Sequence, residues 1–167
     1  MQQPSKLYLA LSYLLIPIAL FFGFMDSILL ISALANPSAM IALFAMTCIV
    51  IYSFTSFKFL KLGIEREQIL TTKLKDWIKV NAYVSLLMFC LIFLNAVSIL
   101  LSNDATLIVF VDQFLTQQTG LPPEFNSQFV LKAMRVLSYF LFAIGAIGIL
   151  HIRMTLKLVR EYDYLFE

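Results

Sequence analysis

Charge is what this chain has least of. Asp, Glu, Lys and Arg supply 13% of its 167 residues, against 61% hydrophobic, and the mean hydropathy is +0.90. A soluble domain covers itself with about 25% charged residues, so most of this surface is built to face something other than water. The net charge of +2 is too small to hold a nucleic acid, whose binding rests on many neutralised phosphates. Histidine occurs once, as His151. A bis-histidine haem or a metal cluster needs further ligands; no metal and no cofactor is expected, and His151 reads as an interfacial residue at the inner end of a span. The two cysteines, Cys48 and Cys90, form no Cys-x-x-Cys relay and fall near mid-bilayer, where buried thiols are inert. Also missing are a Gly-x-Ser-x-Gly elbow, a glycine-rich phosphate loop and the paired-Asp motif of metal-dependent lipid transferases. No catalytic residue emerges, and the expectation leans away from an enzyme.

What the chain has in quantity is apolar length. Four stretches, at roughly residues 7–33, 39–57 (continuing to about 62), 80–102 and 129–153 (most apolar over 136–152), each approach or exceed the ~20 residues that carry a helix across a hydrocarbon core. The predicted fold class is all-α integral membrane: a four-transmembrane-helix bundle forming a single domain over 1–167. Ala33-Leu34-Ala35 has the small-x-small form of a signal cleavage site. The run before it is far longer than a signal h-region, is preceded by Lys6 alone, and contains Asp26, so an uncleaved span is expected.

The basic residues orient the spans. Lys58, Lys61, Arg66, Lys73, Lys75 and Lys79 lie between spans two and three; Arg153, Lys157 and Arg160 follow span four; Lys6 precedes span one. Residues 34–38 and 103–128 hold no Lys or Arg. The positive-inside rule then places both termini in the cytoplasm, with a bacterial inner membrane as the expected location. Asn36-Pro37-Ser38 predicts a tight turn with Ser38 as a cap. Pro17 should kink span one, and Trp77 suits the inner interface.

Between spans three and four, Leu107, Phe110, Val111 and Phe114 recur at helical spacing among Asp104, Asp112, Gln113 and Gln117. This predicts a short extracytoplasmic amphipathic helix over about 105–117, lying on the outer face. A β-rich cap is the alternative, since several residues there are β-branched. Gly120, Pro122 and Pro123 should break the chain after it. Past span four, Met154, Leu158, Tyr162 and Leu165 continue a helical stripe. The aromatic, acidic tail Glu161–Phe166 either folds back, lies at the interface or docks a partner.

Helices in lipid associate through close backbone approach and interhelical hydrogen bonds. Span one offers Ala19, Gly23 and Ser27 at four-residue steps; span four offers Ser138, Gly145 and Gly148. In span three, Asn81, Ser85, Met88, Ile92, Asn95, Ile99 and Ser102 form a heptad seam that is more than half polar. Such a stripe must meet protein or water, as interhelical glue or as a cavity lining. Counting 1.5 Å per residue from the outer ends brings Asp26, Asn95 and Arg135 to one depth, about 12 Å below the surface. The expected lock is an Asp26–Arg135 pair, with Lys132 the alternative cation and Asn95 satisfying a remaining group. An intramembrane charge is either a functional site or a structural pair that fixes registry.

The sequence therefore predicts a non-enzymatic polytopic membrane protein, an accessory subunit or scaffold. Its partners would be the lipid bilayer and either other proteins or further copies of itself, met through small-residue helix faces. A small transporter or channel using Asp26, Asn95 and Arg135 is the second reading, and a membrane enzyme the third.

Overall fold

A computed structural model describes residues 4–36, 39–117 and 126–167. Pro37 and Ser38 of the predicted turn, and the breakers Gly120, Pro122 and Pro123, lie outside them. The described residues are helical: α1 (Lys6–Ala35), α2 (Ala39–Lys58), α3 (Thr72–Leu101), α4 (Asp104–Thr116) and α5 (Ser127–Glu161). A π-helical turn, Phe59–Ile64, prolongs α2, and a 3-10 turn, Asp163–Leu165, follows α5. Four of these are long and apolar enough to cross a membrane: Lys6–Leu34, Ala39–Ile64, Thr72–Leu101 and Ser127–Glu161.

Local chemistry accounts for the ends. Ser5 caps α1, its hydroxyl oxygen accepting the Tyr8 N–H at 3.2 Å. This satisfies one of the donors that every helix start leaves over. Asn103 does the same for α4 through Ala105 N–H at 3.1 Å, and Asp104 places a negative charge in its first turn, where the helix dipole favours it. The segment predicted as helix or β-cap is thus a helix. The third helix begins at Thr72, eight residues before the apolar run does. Lys73, Lys75 and Lys79 are good helix formers; they end the hydropathy signal without ending the helix. Pro17 lies inside α1.

The helices fall into two compact units, Met1–Phe89 with Ile147–Glu167, and Cys90–Ala146. In the first, Tyr8, Leu15, Ile49, Tyr52, Phe59, Ile78 and Phe89 are fully or almost fully buried. Gly148 on α5 meets α3 so closely that a Cβ there would fall inside the Phe89 ring; only glycine fits that crossing. Ala19 is fully buried, whereas Gly23 stands beside Val50 with room to spare.

The tail folds back within this unit, as the first of the three readings of Glu161–Phe166 has it. Leu70 and Phe166 form an isolated parallel bridge. Leu70 N–H donates to Leu165 C=O at 2.6 Å, and Glu167 N–H to Leu70 C=O at 2.9 Å. Phe166 stacks on Phe59 with ring centres 5.4 Å apart, and Lys75 pairs with Asp163. The chain being clasped contains Glu67, which holds a left-handed φ of 52°.

In the second unit Phe93 packs on Phe142 at 4.8 Å, Ser127 donates to the Asp112 carboxylate, and Gly145 is buried.

Candidate functional site

The most developed polar centre is one that sequence reasoning passed over. Along α1, Tyr8 and Ser12 stand four residues apart, as do His151 and Thr155 along α5, so each pair occupies one helix face. Tyr52 of α2 completes the group. All five are 0–2% exposed. Ser12 Oγ lies 2.9 Å from His151 Nε2, and Tyr52 Oη lies 2.8 Å from Nδ1. Tyr52 Oη and Thr155 Oγ1 are 2.9 Å apart, and Thr155 Oγ1 reaches Tyr8 Oη at 3.3 Å. The Tyr8 ring lies flat on the imidazole, centres 5.1 Å apart. His151 is therefore not an interfacial residue but the fully buried hub of three helices.

A neutral imidazole has one N–H donor and one acceptor nitrogen, and the hydroxyls at its two nitrogens favour Nε2–H donating to Ser12 Oγ, with Nδ1 as the acceptor facing Tyr52. The one proton of the Ser12 hydroxyl goes to the Tyr8 carbonyl at 2.8 Å, which leaves Oγ to accept from the ring. A serine beside a histidine invites a nucleophile reading, but a nucleophile must reach its substrate, and this one is sealed and already engaged. What the arrangement does chemically is hold α1, α2 and α5 in one register: in an apolar surround, an unmade hydrogen bond costs far more than in water.

The predicted lock residues have separate partners. Asp26 Oδ2 accepts the Thr47 hydroxyl at 2.6 Å, while its buried Oδ1 has no hydrogen-bond partner among the described residues. Arg135, in the second unit, takes Asp104 as its acidic partner at 2.5 Å. Its guanidinium also donates to the carbonyls of Ile99, Leu100 and Ser102 at 2.5–2.8 Å. These carbonyls belong to the end of α3 and to the residue just past it, where the main chain runs out of its own donors, and a cation is favoured there. Arg135 is thus a helix cap supplied by a distant helix. Lys132 is exposed on α5.

The heptad seam of α3 divides. Asn81 and Ser85 are buried, Asn81 donating to Trp77 C=O at 2.8 Å and Ser85 Oγ lacking a partner among the described residues. Asn95 is exposed and its side-chain amide returns to Leu91 C=O at 2.9 Å. Ser27 is likewise exposed, bonded to Gly23 C=O at 2.9 Å. Cys48 and Cys90 are free thiols, and the described residues contain no group of three or more His, Cys, Asp or Glu placed to hold a metal.

The fold and the two centres define a class, a helical protein with four helices long and apolar enough to cross a membrane and an internally bonded polar hub. Comparison with known proteins takes the assignment no further. The chain matches no family model, and neither a curated protein nor a solved structure is significantly similar to it.

Proposed function

We propose that the protein is a non-enzymatic accessory subunit or scaffold of a membrane assembly, both termini on the cytoplasmic side of a bacterial inner membrane. In this reading α4 lies at the outer interface, presenting Phe110 and Phe114 to the headgroups. The observation that carries it is Asn95. Its amide is exposed on α3 six residues before the helix end, about 9 Å along the axis. An amide at that depth finds its partners across a helix–helix contact rather than in lipid. The hub around His151 supports the same reading, because its polar groups bond one another and leave none for a substrate.

Native mass measurement after extraction in a mild detergent tests the proposal. A stoichiometric partner or a defined self-oligomer is expected, weakened by Asn95→Leu. A monomer unaffected by that substitution overturns it. Ion movement is the second reading, favoured by the unpaired Oδ1 of Asp26; it requires flux in proteoliposomes that Asp26→Asn abolishes.

A further inference from the structure

The first two turns of α3 have little of their own to hold them. Residues 72–79 precede the apolar run, and among them only Ile78 is buried; Thr72, Lys73, Asp76, Trp77 and Lys79 are exposed. The opening turn has no acidic residue. It carries Lys73 and Lys75 instead, positive charges at the end of the helix dipole that disfavours them. Helices in folded proteins are stabilised mostly by a packed face, and part of what packs here is the tail.

The tail supplies what these turns lack. Glu167 C=O accepts the Thr72 N–H at 3.2 Å, one of the donors that a helix start leaves over. Asp163 pairs with Lys75 at 2.5 Å, and the Lys75 ammonium lies 6.0 Å from the centre of the Phe166 ring. Asp163 and Phe166 reach α3 together because the 3-10 turn eclipses residues three apart. Leu70, two residues ahead of α3, gives both main-chain groups to the tail. Its side chain lies so close to the π-turn that a Cβ on Gly63 would come within 2.8 Å of it. Main-chain bonds, a ring on Phe59 and a carboxylate on Lys75 thus hold one short segment, the pattern of strand addition with side-chain specificity. The holding is separable from the hub. Asp163 and Tyr164 are exposed, so groups released by the tail turn to water, whereas those of the hub cannot.

We propose that Phe59, Leu70 and Lys75 form a docking site for a peptide bearing a carboxylate three residues before an aromatic ring, that the tail is its resident ligand, and that docking folds the first two turns of α3. Tail and turns open together while the hub stays shut. The inference needs neither the membrane placement nor the subunit role proposed above.

Hydrogen exchange of the full chain in a mild detergent tests this. The amides of residues 76–79 close the first turns by bonding four residues back, and none of them bonds to the tail. Those of Leu70, Thr72 and Glu167 join tail and site directly. Phe166→Ala should speed exchange at 76–79 about tenfold, the scale of a lost aromatic stack. The amides around Tyr8, Tyr52 and His151 should keep their wild-type rates, which also shows that the variant is folded. A synthetic peptide of residues 161–167, at the roughly millimolar level that a short tether provides, should restore protection at 76–79 in that variant. The same peptide carrying Phe166→Ala should not. Acceleration confined to 70, 72 and 167 means that the tail lies on turns that fold by themselves, and overturns the proposal. So does equal acceleration at the hub. Restoration by both peptides, or by neither, overturns the docking site.

Discussion

The polar centre around His151 and the one around Arg135 solve the same problem with opposite means. The first is formally uncharged: one imidazole, two phenols and two small hydroxyls from three helices, joined across 99 to 147 residues of sequence. The second is one guanidinium spending its donors on main-chain carbonyls and a carboxylate only 31 to 36 residues away. In the first, each side chain is both donor and acceptor, so removing one orphans the others. In the second, the acceptors exist whether or not Arg135 does, because a helix end always leaves carbonyls over. Mutual networks bind helices into a register; a cap finishes one helix.

The comparison can be broken, beginning with the largest effect. His151→Ala should cost about 3–4 kcal/mol, since it opens a cavity and strips partners from buried hydroxyls. Denaturant titration in detergent should show the whole first unit losing cooperativity; a change confined to α5 would mean that the hub is not shared. Arg135→Gln should cost about 2–3 kcal/mol, felt locally as faster hydrogen exchange around 99–107. Asp104→Asn combined with it should deviate from additivity by at least ~0.5 kcal/mol, and strictly additive effects would dissolve the pair. Gly148→Ala should cost about 1–3 kcal/mol by overpacking, and Phe89→Leu in the same chain should recover part of that loss. If the two costs simply add, the close crossing of α3 and α5 is not what glycine serves.

The smallest effect belongs to the tail. The hydrogen bond from Lys75 holds the Asp163 carboxyl below its ordinary value of 3.8. A depressed carboxylate pKa contributes stability that is fully present above the unfolded value and fades as pH falls through the folded one. The clasp should therefore be intact at neutral pH and loosen below about pH 4. Protease nicking near 162–167 against pH reads this directly. An identical profile in Asp163→Asn would show that the ion pair contributes nothing.

Four helices of spanning length were legible because apolar run length alone specifies them. The start of α3 was not: Lys73, Lys75 and Lys79 interrupt hydropathy but not main-chain bonding. Depth counting drew attention to Asp26 and Arg135, yet depth says nothing of the direction in which a side chain leaves its helix, and each has a partner that counting could not name. The hub was hidden for a different reason. Tyr8–Ser12 and His151–Thr155 each carry a visible four-residue spacing, but read alone each is a pair of tolerable polar residues in an apolar stretch. Their meaning comes from the meeting of three helices distant in sequence. A search for paired polar positions at four-residue steps on separate spans would have found both pairs.

The first unit is discontinuous, completed by residues 147–167 only after 90–146 have been made. During synthesis Tyr8, Ser12 and Tyr52 must wait, their hydroxyls without the imidazole they converge on. Leu70 likewise waits for Phe166. The register of the first helices is therefore sealed last, by the end of α5, and a chain ending within 90–146 has Tyr8, Ser12 and Tyr52 of the hub but neither its imidazole nor Thr155.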